Sequence, residues 1–373
     1  MSEKPLTIVQ VLPALNAGGV ERGTVEFARE IAHKGHRSLV ISNGGMMVNN
    51  LEAEGSQHIQ LPVHRKSLRS LLWVGKLRRT LEHLNPDIVH VRSRIPAWMT
   101  WLAWRRMPHA KRPGLVSTFH GLYSVNAYSA IMGKAERVIA ISDCVYDYIL
   151  KNYTVDPATI TRIYRGLDPK AFNRNACTTE WRDQLFQEYP ALKGKQIILM
   201  PGRLSRWKGQ EAFISMMAQL IALRPQCHGV VVGGAEDNKQ HYLAELIDQT
   251  RQEGLADHIT FVGHRTDIQA FYGLAAVTCH MSNKPEPFGR TVPEALACGC
   301  PVVAYDRGGA AESLKAAFSR GLVAADDIQA FALRIAEILG NPPEEINLPP
   351  DFYLSAQVDK TLAVYHDLLS SRN

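Results

Sequence analysis

Several common signatures are missing from this sequence of 373 residues. None of its six cysteines forms a Cys-x-x-Cys pair or lies near histidines at zinc-ligand spacing, so we expect reduced thiols in core positions. No run approaches the roughly 18 apolar residues of a membrane span, and residues 1–13 lack the apolar core of a secretory signal. The glycine fingerprint of dinucleotide-binding proteins is also missing, which argues against a nicotinamide oxidoreductase.

The composition is that of a soluble globular protein, with 46% hydrophobic and 21% charged residues. The length suits two domains of roughly 150–200 residues each. Short apolar runs alternate with helical stretches along the whole chain. This rhythm predicts an α/β protein built on parallel sheets.

The predicted strands form two series separated by a segment with Gly and Pro punctuation, Gly166–Phe172, where we place a hinge. The first series is Leu6–Leu12, Arg37–Ser42, Asp87–Val91, Leu115–Phe119, Arg137–Ile141 and Ile160–Tyr164. The second series is Gln196–Pro201, Gly229–Gly233, His258–Val262, Ala276–His280 and Pro301–Tyr305. Helices are predicted at about Val20–Lys34, Gly209–Leu223 and Leu354–Ser370.

Positive charge is concentrated in one stretch of the chain. Residues 65–112 hold twelve Lys and Arg against two Asp and Glu, whereas the whole chain has a net charge of only +6. Such a stretch suggests an anionic partner, which could be nucleic acid, acidic lipid or a phosphorylated substrate.

Two basic or glycine-rich loops follow predicted strands, at the edge where parallel sheets bind ligands. Gly18 and Gly19 open a helix whose backbone N–H groups can approach an anion, although a plain tight turn explains them equally well. Arg203 and Lys208 lie between the strand Gln196–Pro201 and the next helix. Their charges suit phosphate oxygens, and this placement favours a diphosphate site over a solvated loop.

A third loop carries two carboxylates. Glu286 lies in a segment with Pro and Gly, and Glu294 lies about one turn into a helix that starts near Thr291. A carboxylate at Glu294 can accept hydrogen bonds from the vicinal hydroxyls of a ribose. Taken alone, Glu294 is also explained by its favourable position near a helix N-terminus.

Together these residues resemble the retaining family-four glycosyltransferases, which have the GT-B fold. The resemblance rests on Arg203 and Lys208, on Glu286 and Glu294 with seven residues between them, on Ala-Cys-Gly-Cys-Pro-Val-Val-Ala at 297–304, and on Gly-Gly-Ala-Ala-Glu at 308–312. It implies two Rossmann-like, doubly wound parallel-sheet domains facing a deep cleft. The acceptor-binding domain would be 1–168, the nucleotide-sugar-binding domain 169–352, and residues 353–373 a helix packing back on the first domain.

The resemblance also implies a role for each site residue. Arg203 and Lys208 would grip the donor diphosphate and stabilise it as the leaving group. Glu294 would hold the nucleotide ribose, and Glu286 would bind a hydroxyl of the transferred sugar. The other implied contacts are the backbone of Gly18 and Gly19 with the diphosphate, the backbone of Gly289, Arg290 and Thr291 with sugar and phosphate, and His120 with the donor sugar near the reacting carbon.

No Asp-x-Asp pair occurs in the sequence, so we expect no catalytic metal and no cofactor beyond a UDP- or GDP-linked sugar as co-substrate. Contacts to the base are expected mostly through the backbone near Gly263–Arg265. The linker departs from the family pattern, because Arg165 stands where Asn is frequent. This arginine either adds to a basic cleft or is solvated.

Four of the six tryptophans lie in or beside the basic stretch, and its leucines between 68 and 84 predict an amphipathic helix. One interpretation is an interfacial helix on anionic lipid. The other is that the apolar face packs on the domain and the cations are solvated. The expected acceptor- or membrane-binding patch comprises Arg65, Lys66, Arg69, Arg78, Arg79, Arg105 and Arg106.

The predicted function is transfer of a sugar from a nucleotide diphosphate sugar to an anionic acceptor, either lipopolysaccharide core or another lipid-linked glycan, with retention of anomeric configuration. We expect a cytoplasmic protein, peripheral on the inner face of the cytoplasmic membrane. One alternative is the same chemistry on a soluble small molecule or sugar phosphate. The other is a nucleic-acid-binding protein, which would explain the basic stretch but not Arg203, Lys208, Glu286 and Glu294 together.

Overall fold

The computed structural model describes residues 4–16, 18–65, 70–234 and 240–372. The chain divides into two units, each with its own parallel sheet. The first unit is Met1–Gly166 together with Tyr353–Asn373, and the second unit is Leu167–Phe352.

The sheet of the first unit has seven parallel strands in the order β3-β2-β1-β4-β5-β6-β7. These strands are β1 (Thr7–Val11), β2 (Arg37–Ser42), β3 (Gln57–Gln60), β4 (Ile88–Val91), β5 (Gly114–Phe119), β6 (Arg137–Ala140) and β7 (Ile160–Arg162). The helices between them are α1 (Gly19–His33), α2 (Val48–Ala53), α3 (Ser70–Leu84), α4 (Arg94–Arg105) and α5 (Asp143–Asn152). Strands β4 and β5 are buried at every position, as expected of a parallel sheet covered on both faces.

The sheet of the second unit has six parallel strands in the order β10-β9-β8-β11-β12-β13. They are β8 (Gln196–Pro201), β9 (Cys227–Val232), β10 (Ile259–Gly263), β11 (Val277–His280), β12 (Val302–Tyr305) and β13 (Leu322–Val323). The helices of this unit are α6 (Thr179–Glu188), α7 (Gln210–Leu223), α8 (Gln240–Gln252), α9 (Ile268–Leu274), α10 (Thr291–Ala297), α11 (Gly308–Ala317) and α12 (Ile328–Gly340).

The last helix, α13 (Leu354–Ser370), returns to the first unit. Its residues Val358, Tyr365 and Leu368 are buried in the same apolar cluster as Phe27 and Ile31 of α1. The ring of Tyr365 meets that of Phe27 edge-on, with 6.4 Å between the centroids. The first unit is therefore completed by residues that follow the whole of the second unit in sequence.

Both series of predicted strands are confirmed, with ends that differ by one or two residues. The sequence does not predict the edge strands β3 and β13. Strand β3 is only half-buried and β13 has two residues, so neither forms the apolar run that marks a buried strand. Within the described residues, no helix combines the length and apolar character that a bilayer span requires.

Each sheet has one point at which the strand order reverses. This switch point lies between β1 and β4 in the first unit and between β8 and β11 in the second. Loops that leave neighbouring strands in opposite directions open a crevice at the carboxyl edge, where doubly wound sheets bind ligands. Gly18 and Gly19 follow β1, Lys208 follows β8, and Glu286 follows β11, so the predicted site residues lie at these edges.

Candidate active site

In the second unit, the loops after β8 and β11 touch each other directly. Lys208 ends a short 3-10 turn, and Gly209 caps α7 in a left-handed conformation with φ of 87°. A Cβ at Gly209 would lie 2.1 Å from the carbonyl oxygen of Met281, so only glycine allows this approach. The backbone N–H of Asn283 also donates to the carbonyl of Trp207 across 2.9 Å.

This contact brings together Lys208 and Glu286, which lie 78 residues apart in sequence. The ammonium of Lys208 donates to Oε1 of Glu286 across 2.7 Å, and the same oxygen accepts a hydrogen bond from the hydroxyl of Ser282. The side chain of Glu286 is 8% exposed and that of Lys208 is 17% exposed. The pair is therefore largely shielded from water.

Burial by itself would raise the pKa of Glu286. The neighbouring His280, the ammonium of Lys208 and the hydrogen bonds from Lys208 and Ser282 outweigh burial and hold the pKa below its usual value. Burial also lowers the pKa of His280, so this imidazole is neutral at pH 7. Glu286 is thus an ionised acceptor with Lys208 as its cationic partner.

Three glycines shape the backbone around Glu286. Gly289 has φ of 72°, and a Cβ there would lie 2.5 Å from the Cβ of Ala310. Gly308 and Gly309 at the start of α11 pack against the 285–288 backbone, and the N–H of Gly309 donates to the carbonyl of Glu286 across 2.8 Å. The glycine pair at 308–309 is therefore a support for the loop of Glu286.

Glu294 lies on α10, as predicted, and is 6% exposed. Arg290 Nε donates to its Oε1 across 2.9 Å, and the hydroxyl of Tyr272 donates to its Oε2 across 3.2 Å. Thr291, at the start of α10, shares a 3.0 Å hydrogen bond with Nδ1 of His280. The side chain of Arg290 therefore orients Glu294, a contact that the sequence does not predict because the residue is expected there only for its backbone.

Arg203 occupies a different environment from Lys208. Its side chain is exposed, and its backbone carbonyl accepts a hydrogen bond from Gln210 Nε2 across 3.1 Å. Arg203 is thus exposed to solvent, whereas Lys208 is largely buried and paired with a carboxylate. Arg265, at the expected base-binding loop, is held by salt bridges to Asp267 and Glu188.

In the first unit, α1 begins at Gly19, with Gly18 as its N-cap. Gly18 is extended, with φ of 176°, so its backbone conformation is open to any residue. A Cβ at Gly19 would lie 3.4 Å from a guanidinium nitrogen of Arg165, whose side chain also donates to the Gly19 carbonyl. The guanidinium of Arg165, the linker residue that departs from the family pattern, therefore lies over the first turn of α1.

His120 follows β5 and differs from the nearby buried His90 in its hydrogen bonding. Both ring nitrogens of His120 are inaccessible to solvent and have no hydrogen-bond partner among the described residues. His90, by contrast, contacts the hydroxyls of Tyr365 and Thr118 at 2.6 Å each. Burial, with Arg165 and Arg92 nearby, lowers the pKa of His120 well below its usual value, so its imidazole is neutral at pH 7.

Part of the expected basic patch is assembled in the first unit. Arg78 of α3 donates to the carbonyl of Arg106 just after α4, across 3.3 Å. Arg65, Arg79, Arg105 and Arg106 are exposed, whereas Lys66 and Arg69 lie outside the described residues. The apolar positions Val74, Leu77 and Leu81 of α3 are buried, as the packed-helix interpretation predicts, although Leu72 is 79% exposed.

In the described part of the chain, no group of three or more His, Cys, Asp or Glu side chains could hold a metal ion. The second-unit site contains the cationic side chains of Lys208, Arg203 and Arg290. These donors suit a ligand that brings both phosphate oxygens and hydroxyl groups.

Comparison with known proteins identifies the family. Residues 17–171 match the family Glycosyltransferase Family 4, and residues 182–349 match the family Glycosyl transferases group 1. The chain therefore contains a Glycosyltransferase Family 4 domain followed by a Glycosyl transferases group 1 domain. The candidate site residues from Gly18 to Arg165 lie in the first matched segment, and those from Arg203 to Gly309 lie in the second.

Two curated relatives have names that refer to different substrates or products. The lipopolysaccharide core biosynthesis mannosyltransferase LpsB of Rhizobium meliloti is 32% identical over 186 residues, which cover 49% of this chain and 51% of that protein. A D-inositol 3-phosphate glycosyltransferase of Stackebrandtia nassauensis is 26% identical over 316 residues, which cover 77% of this chain and 69% of that one. The match to LpsB thus spans about half the length of that relative.

Two solved structures share the fold over nearly the whole chain. A glycosyltransferase from Rickettsia africae is 28% identical, with a TM-score of 0.83 and coverage of 98% of this chain and 99% of that one. Anabaena Alr3699/HepE in complex with UDP is 22% identical, with a TM-score of 0.81 and coverage of 97% and 100%. The two sheets are those of the GT-B fold.

Proposed function

We propose that the protein transfers a sugar from a nucleotide diphosphate sugar to an acceptor hydroxyl, with retention at the anomeric carbon. The observation that carries this proposal is the pair of buried carboxylates, Glu286 and Glu294, each held by a cation at one sheet edge of the second unit. Carboxylates accept hydrogen bonds from hydroxyls, while Lys208 and Arg203 supply positive charge for phosphate. A nucleotide sugar presents both kinds of group.

Lys208 can donate hydrogen bonds to Glu286 and to the diphosphate at the same time. An ammonium has three N–H donors, and one of them is used by Glu286. The remaining donors can bind diphosphate oxygens, where negative charge grows as the bond to the sugar breaks. Arg203, exposed on the same loop, adds a planar fork that can close on the phosphates.

Glu286 and Glu294 have separate roles in this proposal. Lys208 and Ser282 both contact Oε1 of Glu286. Its Oε2 can therefore accept a hydrogen bond from a hydroxyl of the transferred sugar. Glu294 binds the ribose, with Arg290 and Tyr272 fixing the carboxylate plane. His120, whose imidazole is neutral and whose ring nitrogens have no partner among the described residues, is our candidate for the sugar-binding residue of the first unit.

The acceptor in this proposal is anionic and lipid-linked, with lipopolysaccharide core as the first candidate. The similarity to LpsB and the exposed cations Arg79, Arg105 and Arg106 support it. Leu72, exposed on the same helix as Arg79, would favour docking at the inner face of the cytoplasmic membrane. Flotation with vesicles tests this part, because binding that requires anionic lipid and weakens with salt supports docking, whereas no binding opposes it.

A second candidate acceptor is a soluble sugar phosphate. The match to the D-inositol 3-phosphate glycosyltransferase favours it, because that alignment covers more of this chain than the alignment with LpsB. Transfer to soluble acceptors without lipid, together with failure to float with vesicles, would select this candidate.

The donor is tested with the purified full chain. A thermal-shift screen of UDP, GDP, ADP and their sugars identifies the nucleotide, since a ligand of the native state raises its melting temperature. Product anomers read by NMR test retention, and assays with a chelator test metal independence. Glu294→Ala should abolish nucleotide stabilisation, while the exposed Glu337→Ala in the same unit should not. Undiminished activity of Glu294→Ala would refute the site.

A further inference from the structure

Arg92 is a buried cation that pairs with no carboxylate among the described residues. It follows β4 at the switch point of the first sheet and is 2% exposed. Its Nε donates to Gln10 Oε1 across 2.6 Å, and its guanidinium stacks on the ring of Phe27 at 5.2 Å. Among the described residues, no carboxylate forms an ion pair with Arg92, and burial lowers its pKa to about 10. Burying a charge without a partner is costly, so its retention calls for an explanation.

A second guanidinium lies on the same face of α1. Arg165 lies over Gly19 and Gly23, since a Cβ at Gly23 would be 2.9 Å from its Nη2. Arg92 lies over Phe27, four residues further along the helix. Residues four apart share a helix face and are separated by about 6 Å along the axis, so the two cations are near neighbours.

His120 lies close to both cations. Its position after β5 places it at the same sheet edge as Arg92, because Val91 of β4 pairs with Ser117 of β5. Both Arg165 and Arg92 act on its protonation. Its ring nitrogens are buried and have no partner in the described part of the chain. Two like charges and an unsatisfied imidazole therefore lie at one carboxyl edge, beside the N-terminus of α1.

We propose that Arg92 and Arg165 form an oxyanion site within the first unit that binds the phosphate or carboxylate of the acceptor and holds it beside His120. This inference rests on the proposed function, because it assigns the anion to the acceptor of the transfer. The donor diphosphate already has its own cations, Lys208 and Arg203, in the second unit. Two guanidinium forks suit a planar or tetrahedral oxyanion and would select acceptors that carry one next to the reacting hydroxyl.

The test separates this site from the donor site by saturating the protein with nucleotide. The full chain is first given saturating UDP or GDP, and then titrated with inorganic phosphate or with acetate while the melting temperature is followed. The wild type is expected to gain further stability with at least one of these anions. Arg165→Asn should weaken that response by about tenfold or more and leave the nucleotide affinity unchanged. Which anion acts indicates whether the acceptor group is a phosphate or a carboxylate.

The matched control is Arg137→Asn, because Arg137 lies in the same unit but pairs with Asp367 in an ordinary salt bridge. It should respond to the anion as the wild type does. A second variant, Arg92→Met, guards against a folding defect: its ligand-free melting curve reports folding, and a folded variant should lose the anion response.

Three outcomes would overturn the inference. They are no anion response in the nucleotide-saturated wild type, an unchanged response in folded Arg165→Asn and Arg92→Met, and a loss of nucleotide affinity in Arg165→Asn, which would place the site at the donor diphosphate. Failure of the proposed function has a different signature. In that case no nucleotide binds the wild type, and the anion titration of the ligand-free protein still tests Arg92 and Arg165.

Discussion

The ammonium of Lys208 lies 2.7 Å from Oε1 of Glu286, and both side chains are largely buried. Each therefore depends on the other, because a buried charge that loses its partner is strongly destabilising. We expect Lys208→Met to cost about 3 kcal/mol of unfolding free energy at pH 7, measured by denaturant titration. The double variant Lys208→Met/Glu286→Gln should recover most of this loss, since it removes both charges. Additive losses in the two single variants and the double would contradict the coupling.

The second prediction concerns Glu294. Glu294→Gln keeps the shape of the side chain and removes the charge that Arg290 contacts. If the carboxylate holds two ribose hydroxyls, nucleotide affinity should fall by about tenfold to a hundredfold, as expected for charge-assisted hydrogen bonds worth about 1.5–3 kcal/mol. Calorimetric titration of the selected nucleotide measures this. An affinity equal to that of the wild type would remove Glu294 from the donor site.

The third prediction uses two left-handed glycines of the second unit. Gly209 and Gly254 have φ of 87° and 70°. A Cβ at Gly209 would lie 2.1 Å from the carbonyl oxygen of Met281, whereas a Cβ at Gly254 would have no atom of a described, non-adjacent residue within 4 Å. Gly254→Ala should cost about 1 kcal/mol from backbone strain alone. Gly209→Ala should cost about 3 kcal/mol or more and weaken nucleotide binding, because the loop of Lys208 must shift. Equal losses of stability in the two variants would show that the close approach is unimportant.

The fourth prediction concerns pH. Burial, with His258 and Lys195 nearby, lowers the pKa of His228 to about 4, against about 6.5 when unfolded. Above pH 6.5 His228 is neutral in both the folded and the unfolded state, so its full contribution to the free energy of unfolding is present. As the pH falls from 6.5 towards 4, the unfolded state binds the proton first. The free energy of unfolding should therefore decrease by about 2 kcal/mol. Urea titrations at pH 7 and pH 4.5 should show a smaller difference for His228→Gln than for the wild type.

The strands and the positions of most candidate site residues can be predicted from the sequence, because each candidate residue lies next to a recognisable element. Glu294 follows Thr291 by three residues on one short helix, and Lys208 directly precedes the capping Gly209. Such local relationships are readable along the chain. Gly308 and Gly309 are recognised as a motif, but their contact with the Glu286 loop is visible only in the folded unit.

The remaining features depend on contacts between distant segments. The pairing of Lys208 with Glu286 requires β8 and β11 to be neighbours, which no local pattern specifies. Arg92 is counted in the sequence as one cation of a basic, exposed stretch. In the structure it is buried because it follows a buried strand and turns towards α1. Counting charges along the sequence therefore places Arg92 in a group of surface residues, although the folded protein buries it.

The position of α13 has a consequence for biosynthesis. The first unit contains the earliest residues of the chain, yet its core includes Val358 and Tyr365. During translation, all of residues 167–352 leave the ribosome before these side chains do. The first unit can therefore complete its core only after the second unit has been synthesised. Helix α13, which packs against Phe27 and Ile31, is synthesised only when all strands of the second sheet are already available to fold.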